Sequence, residues 1–92
     1  MIGADSRLRR RERVLVQRAA GTLVLLDLDG GQYYALDDVS ARVWELCDGG
    51  LGVRQIVETI GAEYDAPLAT IYGDVVAFLE EMLGEELVVE EP

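Results

Sequence analysis

The chain has 92 residues, half of them apolar, which suffices for one domain with one shared core and leaves little for a deep catalytic cavity. It contains no histidine, no lysine and a single cysteine, Cys47; this excludes a Cys/His zinc set and any Ser/His or Cys/His nucleophile pair. Charge is split along the chain: residues 1–18 hold six arginines against Asp5 and Glu12, a balance of +4, while residues 19–92 hold Arg42 and Arg54 against sixteen carboxylates, a balance of −14. So acidic a body repels a phosphate backbone and argues against duplex DNA or RNA as the partner.

Residues 1–13 carry Arg7, Arg9, Arg10, Arg11 and Arg13 with no apolar run of signal-peptide length behind them, and are expected to form a basic, flexible tail. No segment approaches the roughly 20 apolar residues of a membrane span. With one cysteine and no disulfide partner, the chain is expected in a reducing cytoplasm, free of membrane.

After the tail, the β-branched run Val14-Leu15-Val16 reads as a first strand, turning at residues 18–21. Residues 22–29 form the clearest strand, apolar at first and alternating at its end. Gly30-Gly31 then supplies a hairpin turn, and Gln32-Tyr33-Tyr34-Ala35-Leu36 returns as a third strand. Three helices follow. Asp37, Asp38 and Ser40 offer caps for a helix over residues 41–47, stopped by Asp48-Gly49-Gly50. Val53, Ile56, Val57, Ile60 and Tyr64 recur at helical spacing, and a third helix runs from Pro67 to about residue 83. Residues 87–89 make a last short strand, free to join the sheet or to stand as a wing, before an acidic tail at residues 90–92. The expected class is α+β, a three-stranded antiparallel meander followed by three helices on one face of the sheet, with residues 14–89 as the domain.

The third helix is apolar over two adjacent stripes: Ile71, Val75, Phe78 and Met82 on one, Leu68, Tyr72, Val76, Leu79 and Leu83 on the other. One stripe seals a helix onto a small sheet; the second is available to line a groove beside it. If the meander is sequential, the third strand lies at a sheet edge, where an extended guest chain can bond to Gln32, Tyr33, Tyr34, Ala35 and Leu36. Tyr33 and Tyr34 point to opposite faces, one toward the core and one toward a guest. On the helix, Ile71, Tyr72, Val75, Val76 and Leu79 are the candidate pocket residues. Asp27, Asp29, Asp37 and Asp38 read as turn and cap residues, not as a metal or acid–base set, and Cys47 as a small buried hydrophobe. No catalytic residue and no cofactor or metal site is expected.

The run Leu25-Leu26-Asp27-Leu28-Asp29-Gly30-Gly31-Gln32-Tyr33-Tyr34-Ala35-Leu36-Asp37, continuing through Ser40-Ala41-Arg42-Val43-Trp44-Glu45-Leu46, resembles the PqqD-like proteins. These are the small proteins of pyrroloquinoline quinone biosynthesis and the wider RiPP recognition elements (RiPP: ribosomally synthesised, post-translationally modified peptide). The break at Asp48-Gly49-Gly50 and the later run Asp74-Val75-Val76-Ala77-Phe78-Leu79 agree with it. The resemblance implies a winged-helix-like fold in which a precursor's leader peptide adds as a strand against residues 32–36, in the cleft to the third helix. It also implies a separate enzyme to which the peptide is presented, a radical SAM enzyme or a leader peptidase, in a pathway of the quinone, lasso-peptide or related kind. The competing reading is a winged-helix regulator whose Arg-rich start contacts nucleic acid. Oligomeric state has no signature in the sequence.

Overall fold

The computed structural model describes residues 2–91. Its elements are strands β1 (Arg7–Arg10), β2 (Val14–Ala19), β3 (Thr22–Asp27) and β4 (Tyr33–Leu36), helix α1 (Asp38–Leu46), strand β5 (Asp48–Gly52), helices α2 (Val53–Tyr64) and α3 (Leu68–Gly84), and strand β6 (Val88–Glu91). The expected meander and three helices are present. They are accompanied by a second sheet.

The meander is β2-β3-β4, antiparallel throughout. Ala20 and Gly21, both at positive φ (52° and 81°), make the first tight connection. At the second, Gly31 takes φ 71°, where a side chain would strain the backbone, and its N–H donates to the Asp27 carbonyl at 2.8 Å. The Asp27 carboxylate accepts the Asp29 N–H at 3.0 Å, and Asp29 pairs with Arg13 at 2.8 Å. These acids serve the turn, as their spacing suggested. One face of the meander buries Leu23, Leu25 and Leu36 against the helices.

The second sheet, β5-β1-β6, overturns the expected basic tail. Arg7-Leu8-Arg9-Arg10 alternates so that Leu8 is buried while its neighbours face water, and β1 becomes the central strand between β5 and β6. Burying one leucine is worth about 1.5–3 kcal/mol, enough to order a short strand that also gains two hydrogen-bonding neighbours. Ile2 is buried as well, and its backbone N–H donates to Glu80 at 2.8 Å. At the other end Glu90 and Glu91, expected in an acidic tail, continue β6, where Glu91 pairs with Arg9. Met1 and Pro92, the outermost residues of the two expected tails, lie outside the described residues.

The N-terminal segment also caps a helix. α2 begins at Gly52, which has no side chain to offer, so its first free N–H groups find other acceptors: Val53 donates to the Ser6 carbonyl and Arg54 to the Ala4 carbonyl, both at 2.9 Å. Gln55 reaches back to accept the Gly52 N–H at 2.7 Å. Asp37 caps α1 by accepting the Ser40 N–H at 2.8 Å, and Pro67 precedes α3. The Arg42 guanidinium forks onto Glu63 at 2.9 Å on each oxygen and ties α1 to α2, which holds the Glu63 carboxyl below its ordinary pKa.

Candidate peptide-binding site

The backbone of β4 supplies the first half of the site. The Asp27 N–H donates to the Gln32 carbonyl at 2.8 Å, which makes these two a bonded pair. In an antiparallel ladder bonded and non-bonded pairs alternate, so with Leu25 opposite Tyr34 and Leu23 opposite Leu36, Tyr34 and Leu36 direct their backbone groups toward β3. Tyr33 and Ala35 therefore turn theirs outward. β4 is an edge of its sheet, so these two residues present the backbone donors and acceptors to which an added strand would bond.

Side chains divide the other way. Leu36 is buried and Tyr34 half-buried on the helix side, whereas Tyr33 is 74% exposed on the outer side. The Tyr34 hydroxyl lies 2.9 Å from Glu85 Oε2, just past the end of α3, and 2.8 Å from Gln32 Oε1. Burial first, and then the bond to Glu85 with the nearby carboxylates, push the Tyr34 phenol above its ordinary value. Tyr34 thus remains a neutral donor that ties β4 to the end of α3.

From Glu85 the flank of α3 facing β4 steps back at helical spacing through Glu81 and Phe78 to Asp74. At that end a hollow of about 320 Å³ opens between α1 and α3, reached from Asp37, the residue after β4. Val39 and Val43 of α1, Ile60 of α2, and Ile71, Val75 and Phe78 of α3 give it an apolar lining. The open strand edge thus lies at one end of this flank, where Tyr34 bonds Glu85, and the hollow at the other, next to Asp37.

The sequence-level candidates fall into three groups. Ile71 and Val75 line the hollow, while Tyr33 and Ala35 stand at the open edge of β4, with Tyr34 and Leu36 bonded to β3 and Gln32 at the turn. Leu79 lies wholly in the core. Tyr72 and Val76 occupy the opposite flank of α3: Tyr72 lines a separate hollow with Ala4, Arg54, Val57 and Leu68, and Val76 packs against the core. Lining residues that the candidate set omitted include Val39, Val43, Ile60, Asp74 and Phe78. Phe78 shared a stripe with the candidates Ile71 and Val75, which was the signal for it. Cys47 is fully buried, donates its thiol to the Val43 carbonyl at 3.2 Å, and is pushed up to about 12 by burial.

Residues 22–88 match the family model described as coenzyme PQQ synthesis protein D, PqqD. The chain belongs to the PqqD family. It is 34% identical over 56 residues to a PqqA binding protein of Rhodopseudomonas palustris (strain HaA2), an alignment covering 61% of this chain and 55% of that one. The chain thus matches about half the length of this curated relative. Among solved structures, TbiB1 in complex with the TbiA(beta) leader peptide superposes with a TM-score of 0.78 at 32% identity, over 87% of this chain and 93% of TbiB1. The PqqD truncation of Methylobacterium extorquens PqqCD, described as a functional and stand-alone RiPP recognition element, superposes at 0.82 with 25% identity, over 97% and 95% of the two chains.

Proposed function

We propose that this chain is a non-enzymatic adaptor that holds the leader of a ribosomally made precursor peptide as a fourth strand on β4 and presents the precursor to a separate enzyme. The observation that carries this reading is the open pair of backbone positions at Tyr33 and Ala35, set beside an apolar hollow in a fold shared with a leader-bound relative. A strand bonded to these two residues would send alternate side chains toward α3, into a lining of Val39, Val43 and Phe78. Main-chain bonds supply affinity that is blind to sequence, and the hollow supplies selection. The partner enzyme in this reading is a radical SAM enzyme or a leader peptidase, acting on a peptide that the adaptor does not itself alter.

Duplex nucleic acid is disfavoured by the same structure. The arginines of β1 are fixed in a sheet rather than carried on a free arm, and a body at −14 surrounds them. Among the described residues no helix is long and apolar enough to cross a membrane.

Calorimetric titration with the cognate leader, paired with backbone-amide shift mapping, tests the reading. Phe78→Asp should cost roughly 1–3 kcal/mol of affinity, whereas Tyr72→Asp, on the opposite flank, should leave it within about twofold. Shifts confined to α2 or to β1, with Tyr33 and Ala35 silent, would sink the strand-addition model.

A further inference from the structure

Over its paired strand positions the outer face of the meander carries no charged residue: Leu15, Gln17, Ala19, Tyr33 and Ala35 are exposed, Thr22, Val24 and Leu26 half-buried, and the first charge is Arg13 at the rim. Cross-strand partners lie on the same face of a sheet, so the register fixes its membership. Leu15 stands opposite Leu26, which stands opposite Tyr33; Gln17 stands opposite Val24, which stands opposite Ala35. The remaining pair on this face is Ala19 and Thr22. A water-facing side of an antiparallel sheet ordinarily alternates polar residues outward. Here the chain is 28% charged, yet none of these positions is, and Leu15 and Tyr33 are 55% and 74% exposed. Apolar surface left in the open on this scale marks a place where another molecule sits.

Two features say which molecule. The row Leu15–Leu26–Tyr33 runs across the whole sheet and ends at the open β4 edge, so it is continuous with the backbone positions a guest strand would pair with. By the pleat, guest residues bonded opposite Tyr33 and Ala35 point to this same outer side. A bound guest therefore widens the row by one strand. A second copy of this chain fits poorly, because each molecule carries −10.

We propose that the uncharged outer face of the β2-β3-β4 sheet is the docking surface for the enzyme that acts on the bound peptide. The enzyme presents an apolar patch that covers Leu15, Leu26 and Tyr33 together with the outward side chains of the guest strand. It thereby touches adaptor and peptide at once, and the filled adaptor offers a larger face than the empty one. The proposal rests on the reading of β4 as the guest edge.

The test is the variant Leu15→Lys, two strands away from that edge and exposed enough for the fold to accept a lysine, assayed with the cognate precursor and its modifying enzyme reconstituted from purified components. Leader affinity by calorimetry should stay within about twofold of the parent, while conversion of the precursor at limiting enzyme should fall at least tenfold and recover as enzyme concentration is raised. Unchanged conversion at limiting enzyme overturns the proposal and leaves the guest edge standing. So does a parent chain that light scattering shows to be a dimer and that Leu15→Lys makes monomeric, because a second copy then covers the face. Failure of the parent chain to bind leader at all refutes the groove reading instead. Thr22→Lys, at the far corner of the same face and away from the apolar row, is the control and should reduce conversion by less than threefold.

Discussion

The two sheets differ in composition and in role: RLRR, DGGLG and VVEE make β1, β5 and β6 of the one, VLVQRA, TLVLLD and YYAL make β2, β3 and β4 of the other. The β5-β1-β6 sheet draws its strands from the start, middle and end of the chain, and places Leu8 and Val88 in the core. The β2-β3-β4 sheet comes from two successive hairpins, buries one face, and leaves an uncharged face and the β4 edge open. The first closes the fold; the second carries the edge and face proposed to meet partners. A perturbation should therefore fall on stability or on recognition according to which sheet it touches.

The largest separation should come from Leu8→Ala. Deleting a fully buried leucine typically costs about 2–5 kcal/mol, so urea denaturation should show a large loss, while the folded fraction keeps its leader affinity. An unfolded chain after removal of residues 2–10, read by circular dichroism, would follow from the same packing, because the segment supplies Ile2, Leu8 and the carbonyls that cap α2. If that truncation folds normally, the closing role assigned to this sheet is wrong.

Ala35→Pro probes the other side of the comparison. The Ala35 N–H faces the open edge, so proline removes a donor to the guest without breaking a bond to β3. Calorimetry should register a loss of roughly 1–3 kcal/mol in leader affinity with a thermal midpoint close to that of the parent. Tyr34→Pro, which deletes a ladder bond instead, should lower the midpoint as well.

Cys47→Ala should cost on the order of 1 kcal/mol in stability through lost packing and leave leader binding intact. The thiol is also a reporter. Held at about 12 and fully buried, it should resist alkylation by iodoacetamide at pH 8 in the parent protein and react faster in Leu8→Ala, whose local opening exposes it. Equal rates in the two proteins would mean that the closing sheet does not shield the C-terminal end of α1.

The smallest effect is one of pH. The Asp48 carboxylate accepts the Gly50 N–H at 2.8 Å and the Leu51 N–H at 3.3 Å, and these bonds, the Gly50 one foremost, hold its pKa below the ordinary aspartate value. A depressed carboxylate contributes stability above its unfolded pKa and loses it as pH falls through the folded one. The amides of Gly50 and Leu51 should therefore shift or lose protection at a pH below about 4, in an NMR titration where the amides of Tyr33 and Ala35 stay unchanged.

The presenting sheet was legible from sequence because hairpins are local. Gly30-Gly31 between two apolar runs announced the β3–β4 turn, and the edge position of β4 followed from consecutive pairing. The closing sheet was not. Arg7-Leu8-Arg9-Arg10 has only one apolar residue, and nothing local tells that Leu8 pairs with Glu90 of β6 and joins Val88 in the core. β5 was hidden for a related reason: Asp48-Gly49-Gly50 does stop α1, but glycine at φ 86° then lets the same residues turn and pair with β1. On α3 the two apolar stripes left the choice of flank open: of the candidates, Ile71 and Val75 line the hollow beside α1, whereas Tyr72 lines a separate hollow and Val76 packs on the core. Periodicity shows which residues share a side, and only the tertiary packing shows that Asp74 and Phe78 line the hollow against α1 while Tyr72 and Val76 do not.

The pairing of Arg10 with Val88 also imposes an order in time. Closing a loop of nearly the whole chain carries a far larger entropic cost than closing either hairpin, and on a ribosome it must wait until β6 has emerged. The hairpins of β2, β3 and β4 need no such delay. Topology thus lets the β4 edge proposed to hold a peptide take shape in the growing chain before the sheet that closes the finished molecule, leaving an interval with an open strand edge and no completed core. The absence of charge on the strand positions of the outer face makes that interval the one in which this chain is most exposed to mispairing.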